Sequence, residues 1–225
     1  MKLVDRFVLA AVNEKKERLY ISRTYLRYGV AGIAMIELYR LGRLQLDDKK
    51  VIVLDRTSTG DSILDEVLNV ISKTASQKRL NSWIYSMSYK VRGLEKRIMQ
   101  RLEDNGFIRI DREKFLGLIP YSRYVVTNSS EKAKEVNNIR DILLKDNRTP
   151  DLESIVIISM ANSCGFIKKF FSGDEKKVVW PKLRLIAKGT YFEVKDEAAQ
   201  RIVTAVRKVI AATQAAAASA AGSAT

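Results

Sequence analysis

Arg23-Thr-Tyr-Leu-Arg-Tyr-Gly-Val-Ala-Gly-Ile-Ala-Met-Ile-Glu-Leu-Tyr-Arg-Leu-Gly42 is the stretch on which the fold turns. It reads as one long helix, and Gly29, Ala31, Gly32 and Ala34 leave little side chain along one side, so another helix is expected to pack closely there. Gly42 supplies the stop. Downstream, Arg43 to Leu46, Asp47 to Lys50 and Val51 to Leu54 read as strand, polar turn and strand. Upstream, Leu3, Val4, Phe7, Val8 and Ala11 recur at helical spacing, followed by a charged turn from Asn13 to Arg18.

The pattern continues outward. Thr59-Gly60-Asp61 places a capping hydroxyl or carboxylate before Ile63, Leu64, Val67, Leu68 and Ile71. Leu80 to Tyr89 and Val91 to Asn105 read as two successive helices, with Asn105-Gly106 as the stop. Phe107 to Ile110, a charged turn at Asp111 to Lys114, Phe115 to Ile119 and Tyr124 to Val126 then resemble the β wing of a helix-turn-helix module. Glu131 to Lys145 reads as a polar amphipathic helix. Leu152 to Ala161, opened by Pro150-Asp151, is expected to be the most buried helix, and helical spacing resumes from Ala198 to Ala212. The fold class is therefore mainly α: a compact single-domain helical fold with small β-hairpins, one of them wing-like. The domain spans 1–212, and 213–225 is an Ala/Ser-rich tail that frays or lacks order.

Length and composition agree with one folding unit: 225 residues, 46% hydrophobic. Forty Lys plus Arg against 26 Asp plus Glu give a formal charge of +14, with no histidine to change it near neutral pH. Such a field concentrates anionic partners, whether lipid headgroups, nucleic acid or acidic proteins; the bland alternative is solubility alone. Cys164 is the single cysteine, so there is no internal disulfide, and without histidine a zinc site lacks ligands. No metal or other cofactor is expected. The N-terminus does not read as a secretory signal, and apolar runs such as Ile155 to Ala161 fall far below the roughly 18 to 20 residues that span a bilayer. The expectation is a cytoplasmic protein whose membrane contact, if any, is peripheral.

An enzyme reading fails early, for want of a histidine base, a triad or a phosphate-binding glycine loop. Asp61, Asp65 and Glu66 sit at a helix start, where exposed amides favour carboxylates, and capping explains them better than catalysis. Cys164 reads as a small buried hydrophobe. The basic residues carry more. Arg23 and Arg27 are four apart on one helix face and could converge on a phosphate; Arg92 and Lys96 repeat the spacing. Either pair could equally be a solvated face or pair with local acids such as Glu95. Phe115, Leu116, Leu118 and Ile119 crowd into a short hairpin bracketed by Arg112, Lys114 and Arg123, which suits insertion between headgroups, though core or subunit packing would use the same residues.

Gly29 to Leu46 with its Glu-Leu-x-x-x-Gly-Arg-Leu-Gln-Leu ending, Thr59-Gly60-Asp61-Ser-Ile-Leu64-Asp65-Glu66, Trp83-Ile84 and Leu102 to Gly106, in that order, resemble the Golgi phosphoprotein 3 family from about Leu3 to Val209. The resemblance implies a mainly helical, non-enzymatic fold. It further implies a basic pocket for phosphatidylinositol 4-phosphate, an apolar hairpin inserted in the bilayer, and residence on the cytosolic face of the Golgi in eukaryotes, where such proteins retain glycosyltransferases. Of the family's pocket positions, the tryptophan and arginine of the first long helix fall on Ser22 and Ala31, and two later arginines on Arg92 and Glu95; only Arg92 is kept. Phe115, Leu116 and Leu118 match the inserted tip. Arg23, Arg27 and Lys96 are candidates to compensate at the headgroup. The chain reads as a divergent member, compatible with a prokaryotic source, starting near the first helix without the basic arm that engages the vesicle coat. Its affinity is expected to be for anionic phospholipid in general, with cytosolic tails of membrane proteins as further partners and oligomerisation left open. The rival, a winged-helix-like nucleic-acid-binding protein, meets Glu95, Glu103 and Asp104 on the would-be recognition helix and an apolar wing tip.

Overall fold

A computed structural model describes residues 1–47, 50–74, 78–115, 118–145, 149–192 and 196–222. Helix α1 (Leu3–Ala11) buries every residue except Arg6. It leads through the small pair β1 (Val12–Asn13) and β2 (Arg18–Leu19) to α2 (Arg23–Arg40), which is capped by the Ser22 hydroxyl accepting from the Tyr25 amide at 3.3 Å. Helix α2 buries eleven residues and is packed against helices on several sides. The close approach expected at its glycines is real and two-sided. A Cβ at Gly29 would lie 2.6 Å from the Phe7 ring, and one at Gly32 would lie 2.6 Å from Val206.

The hairpin β3 (Leu44–Asp47) and β4 (Lys50–Val53) follows; its turn residues Asp48 and Lys49 lie outside the described residues. Helix α3 (Ser62–Lys73) is capped by Asp61, whose carboxylate accepts from the amides of Ile63 at 2.7 Å and Leu64 at 3.2 Å. Helices α4 (Leu80–Lys90) and α5 (Leu94–Asp104) precede the long antiparallel hairpin β5 (Ile108–Phe115) and β6 (Ile119–Val126). Asp111 to Lys114, expected as a turn, is strand. Asp111 stands opposite Arg123 and Glu113 opposite Tyr121, so cross-strand pairing accommodates the charges on an exposed ribbon. Helices α6 (Ser129–Leu144), α7 (Leu152–Ser163), α8 (Glu175–Lys188) and α9 (Glu197–Gly222) complete the order. Helix α7 was expected to be the most buried, yet it buries six of twelve residues against eight of nine in α1. Its Leu152, Ile155 and Ser159, at spacings of three and four, lie on a side that its neighbours only partly cover.

Charge pairs lock α1 into this frame. Arg101 of α5 donates to Asp5 of α1 at 2.6 and 2.9 Å and to Asp61 at 2.8 Å; both carboxylates are buried, and Lys2 also holds Asp61. On the other side Arg6 bridges Glu135 of α6 and Glu153 of α7, each at 2.8 Å. Replacing Arg101 by Met would leave two buried carboxylates without their guanidinium, and urea unfolding should show a loss of about 3 to 5 kcal/mol.

Two nearby carboxylates give stability opposite pH dependences. Burial, with Asp61 and Asp5 close by, raises Glu37 from 4.5 to about 7. Its folded form therefore binds the proton more tightly than the unfolded chain, and that stabilisation, present below 4.5, is lost as pH rises through 7. Burial alone would raise Asp61, but Lys2, the Ile63 amide and Arg101 hold it at about 2, so its contribution is lost as pH falls from 3.8 towards 2. Denaturant midpoints across pH should show that Glu37→Gln removes a decline of up to about 3 kcal/mol between pH 4.5 and 7, leaving the acid limb in place.

Candidate basic cleft and apolar hairpin

The N-terminus of α2, one face of α5 and the β5–β6 hairpin enclose a cleft of about 470 Å³. Arg23, Lys96, Arg112 and Lys114 line it, together with the acidic Glu113 and with Tyr121 and Tyr124 on the hairpin side. Arg112 and Lys114 are two apart on β5 and so share a face. Arg23 donates to the Tyr124 hydroxyl at 2.9 Å, which ties α2 to the hairpin base. Arg112 donates to Gln100 at 3.0 Å and stands 3.6 Å from Glu103. Lys96 and Lys114 have no ion-pair partner among the described residues.

The hairpin's acids are satisfied internally. Asp111 bonds Arg109 at 2.8 Å and Arg123 at 3.3 Å, and these bonds lower its pKa. Glu113 pairs with Arg123 at 3.2 Å and accepts from the Tyr121 hydroxyl, a bond that raises the tyrosine's pKa. The acids are thus tied up along the ribbon while two lysines face the cleft uncompensated. Exposure rises along β6 from 7% at Tyr124 to 62% at Ile119, and Leu118 reaches 83%. The tip therefore projects from the body. Leu116 and the side chain of Phe115 lie outside what the structure describes, although the Phe115 backbone pairs with Ile119.

Of the residues singled out by spacing, the cleft gathers Arg23 and Lys96 but not Arg27 or Arg92. The Arg27 guanidinium stacks over Tyr89 at 5.3 Å and donates to Thr24. Arg92 is exposed in the turn between α4 and α5, because the left-handed Gly93 (φ 63°) starts α5 only afterwards. It and Lys96 do not share a helix. Arg112 and Lys114 carried a sequence signal as cations bracketing an apolar hairpin, although the segment that holds them read as a turn.

The family model for Golgi phosphoprotein 3 matches residues 3–213. The chain belongs to the Golgi phosphoprotein 3 family. Vacuolar protein sorting-associated protein 74 of Eremothecium gossypii is 23% identical over 167 residues, covering 65% of this chain and 50% of that protein. The chain thus spans about half the length of that curated relative. The Golgi phosphoprotein 3 family is one of Golgi-associated, phosphoinositide-binding adaptors rather than enzymes. No helix among the described residues is long and apolar enough to cross a membrane.

Within this Golgi phosphoprotein 3 fold, the positions at which the resemblance placed pocket residues have structural readings. Ser22 serves as the α2 cap. Ala31 is fully buried, so its side chain cannot meet a headgroup. Glu95 is buried at 7% exposure, with one carboxylate oxygen lacking a hydrogen-bond partner. Because Leu118 and Ile119 stand in solvent, Leu118→Ser/Ile119→Ser should leave the unfolding free energy within about 1 kcal/mol of wild type, as measured by calorimetry.

Proposed function

We propose that this protein docks peripherally on anionic phospholipid membranes, seating headgroup phosphates in the cleft of Arg23, Lys96, Arg112 and Lys114 and inserting the β5–β6 tip among the acyl chains. One observation carries the reading: two lysines without acidic partners line a cleft beside a hairpin whose Leu118 and Ile119 project into solvent. Cations that hold phosphates next to apolar side chains that enter the interface are the two signals reversible membrane docking requires. Family membership supports the same reading. Nucleic acid fits less well, since a duplex offers phosphates but no apolar medium for the tip. The role of adaptor for cytosolic tails of membrane proteins is part of this proposal and rests on the family alone.

Recognition is read as general for anionic lipid rather than confined to one phosphoinositide, because Arg92 stands outside the cleft lining and Ala31 is buried. Co-sedimentation with vesicles of phosphatidylcholine alone, with phosphatidylserine, and with phosphatidylinositol 4-phosphate tests this. Binding to both anionic compositions, weakened by salt, is expected. Lys96→Ala/Lys114→Ala should lower affinity about 30-fold, at roughly 1 kcal/mol per cation, and Arg92→Ala about fivefold or less. Binding to the phosphoinositide alone, abolished by Arg92→Ala, would contradict the general reading; failure of the wild type to pellet at low salt would contradict docking itself.

A further inference from the structure

A second surface combines apolar side chains with cations, and the cleft and hairpin do not include it. Helix α8 buries Val179, Leu183 and Ile186 against the body, as an amphipathic helix should. Yet Val178, Trp180 and Leu185 on the same helix are exposed, at 50%, 39% and 42%. Val178, Pro181 and Leu185 follow at spacings of three and four, so they form one outward row. Lys177, Arg184 and Lys188, at spacings of seven and four, form a cationic row beside it. The Lys168 ammonium lies 3.8 Å from the centre of the Trp180 ring, fixing the indole at the rim of this face.

The local charge is strongly positive. Residues 168–188 hold seven cations and two acids, a net of +5 within a chain total of +14. Both acids are already engaged, Asp174 by Lys177 at 2.7 Å and Glu175 by Arg140 at 2.5 Å. Lys169, Lys176, Arg184 and Lys188 have no ion-pair partner among the described residues. A protein partner of mixed charge would not call for so one-sided a set, and nucleic acid would not call for the Val178–Pro181–Leu185 row. An indole at the rim, an aliphatic row and a belt of lysines and arginine are the complement of a bilayer interface with anionic headgroups.

The segment that leads into α8 is tied to the hairpin base through β2. Tyr20, just after β2, packs its ring edge-on against Phe170 at 6.0 Å, immediately ahead of α8, and Glu17 before β2 binds Arg123 of β6 at 3.3 Å. We infer that the exposed face of α8 is a second membrane-docking surface, taking anionic phospholipid through Arg184, Lys188 and their neighbours, with Trp180, Val178 and Leu185 at the headgroup boundary. This rests on the docking reading above and adds to it a contact that acts alongside the cleft.

The chain offers a reporter for this surface. Of its two tryptophans, Trp83 is buried at 1% exposure and Trp180 is exposed. Full-length protein should be mixed with phosphatidylcholine vesicles with and without phosphatidylserine, some carrying brominated acyl chains, while pelleting is measured on the same samples and Trp180→Phe isolates the Trp180 signal. The expected result is a salt-reversible blue shift and quenching of Trp180 with the anionic vesicles only. Arg184→Ala/Lys188→Ala should weaken pelleting about 30-fold while Leu118→Ser/Ile119→Ser retains the Trp180 quenching on whatever fraction binds. If wild type pellets but Trp180 is neither shifted nor quenched, the α8 surface is overturned and docking by the cleft stands. If nothing pellets, both fall. A blue shift that grows with protein concentration in the absence of lipid would mean that a second copy covers this face, which also overturns the inference.

Discussion

The guanidinium of Arg101 between the buried carboxylates of Asp5 and Asp61 is the interaction on which the rest of the structure depends. It joins α5 to α1 and to the cap of α3, and α5 in turn carries Lys96 into the cleft and supports the hairpin through Glu103, whose carboxylate accepts the Ile110 amide at 2.6 Å. Buried charges are costly unless fully paired, so this junction admits one arrangement of three helices and excludes displaced ones. Arg6, bridging Glu135 and Glu153, fixes the opposite side of α1 in the same manner. With α1 held from both sides, its Phe7 leaves no room for a Cβ at Gly29 of α2, while Val206 of α9 and Met160 of α7 leave none at Gly32.

That body presents exposed cationic side chains at its periphery. The acids of the ribbon are paired with its arginines, Asp111 with Arg109 and Arg123 and Glu113 with Arg123, so Lys96 and Lys114 keep no ion-pair partner among the described residues. Such an arrangement suits reversible binding. Exposed cations gain modest, salt-sensitive energy from headgroups, and a few apolar side chains at the tip add an increment that a neutral surface in water cannot supply.

Local features were legible in the sequence. The small residues of α2, the Asp61 cap before Ile63 and the presence of β structure after α5 follow from spacing and turn chemistry. The Asp111 to Lys114 segment misled because four charged residues resemble a turn when their cross-strand partners Tyr121 and Arg123 are not in view. The pairing of Arg92 with Lys96 failed because one left-handed glycine, Gly93, shifts the start of α5 past the arginine. The Arg101 junction could not be read at all, since its partners lie 96 and 40 residues away. The cleft was half visible: Arg23 and Lys96 came from helical periodicity, but their meeting with Arg112 and Lys114 is a property of tertiary packing.

Amide hydrogen exchange on the full chain, with and without phosphatidylserine vesicles, tests the central claim most directly because it reads every surface at once. The account predicts that lipid slows exchange in the outer half of the β5–β6 hairpin and the first turn of α5, leaving the exposed Tyr85–Tyr89 face of α4 unchanged. Protection of the α4 face with none at the hairpin would contradict it.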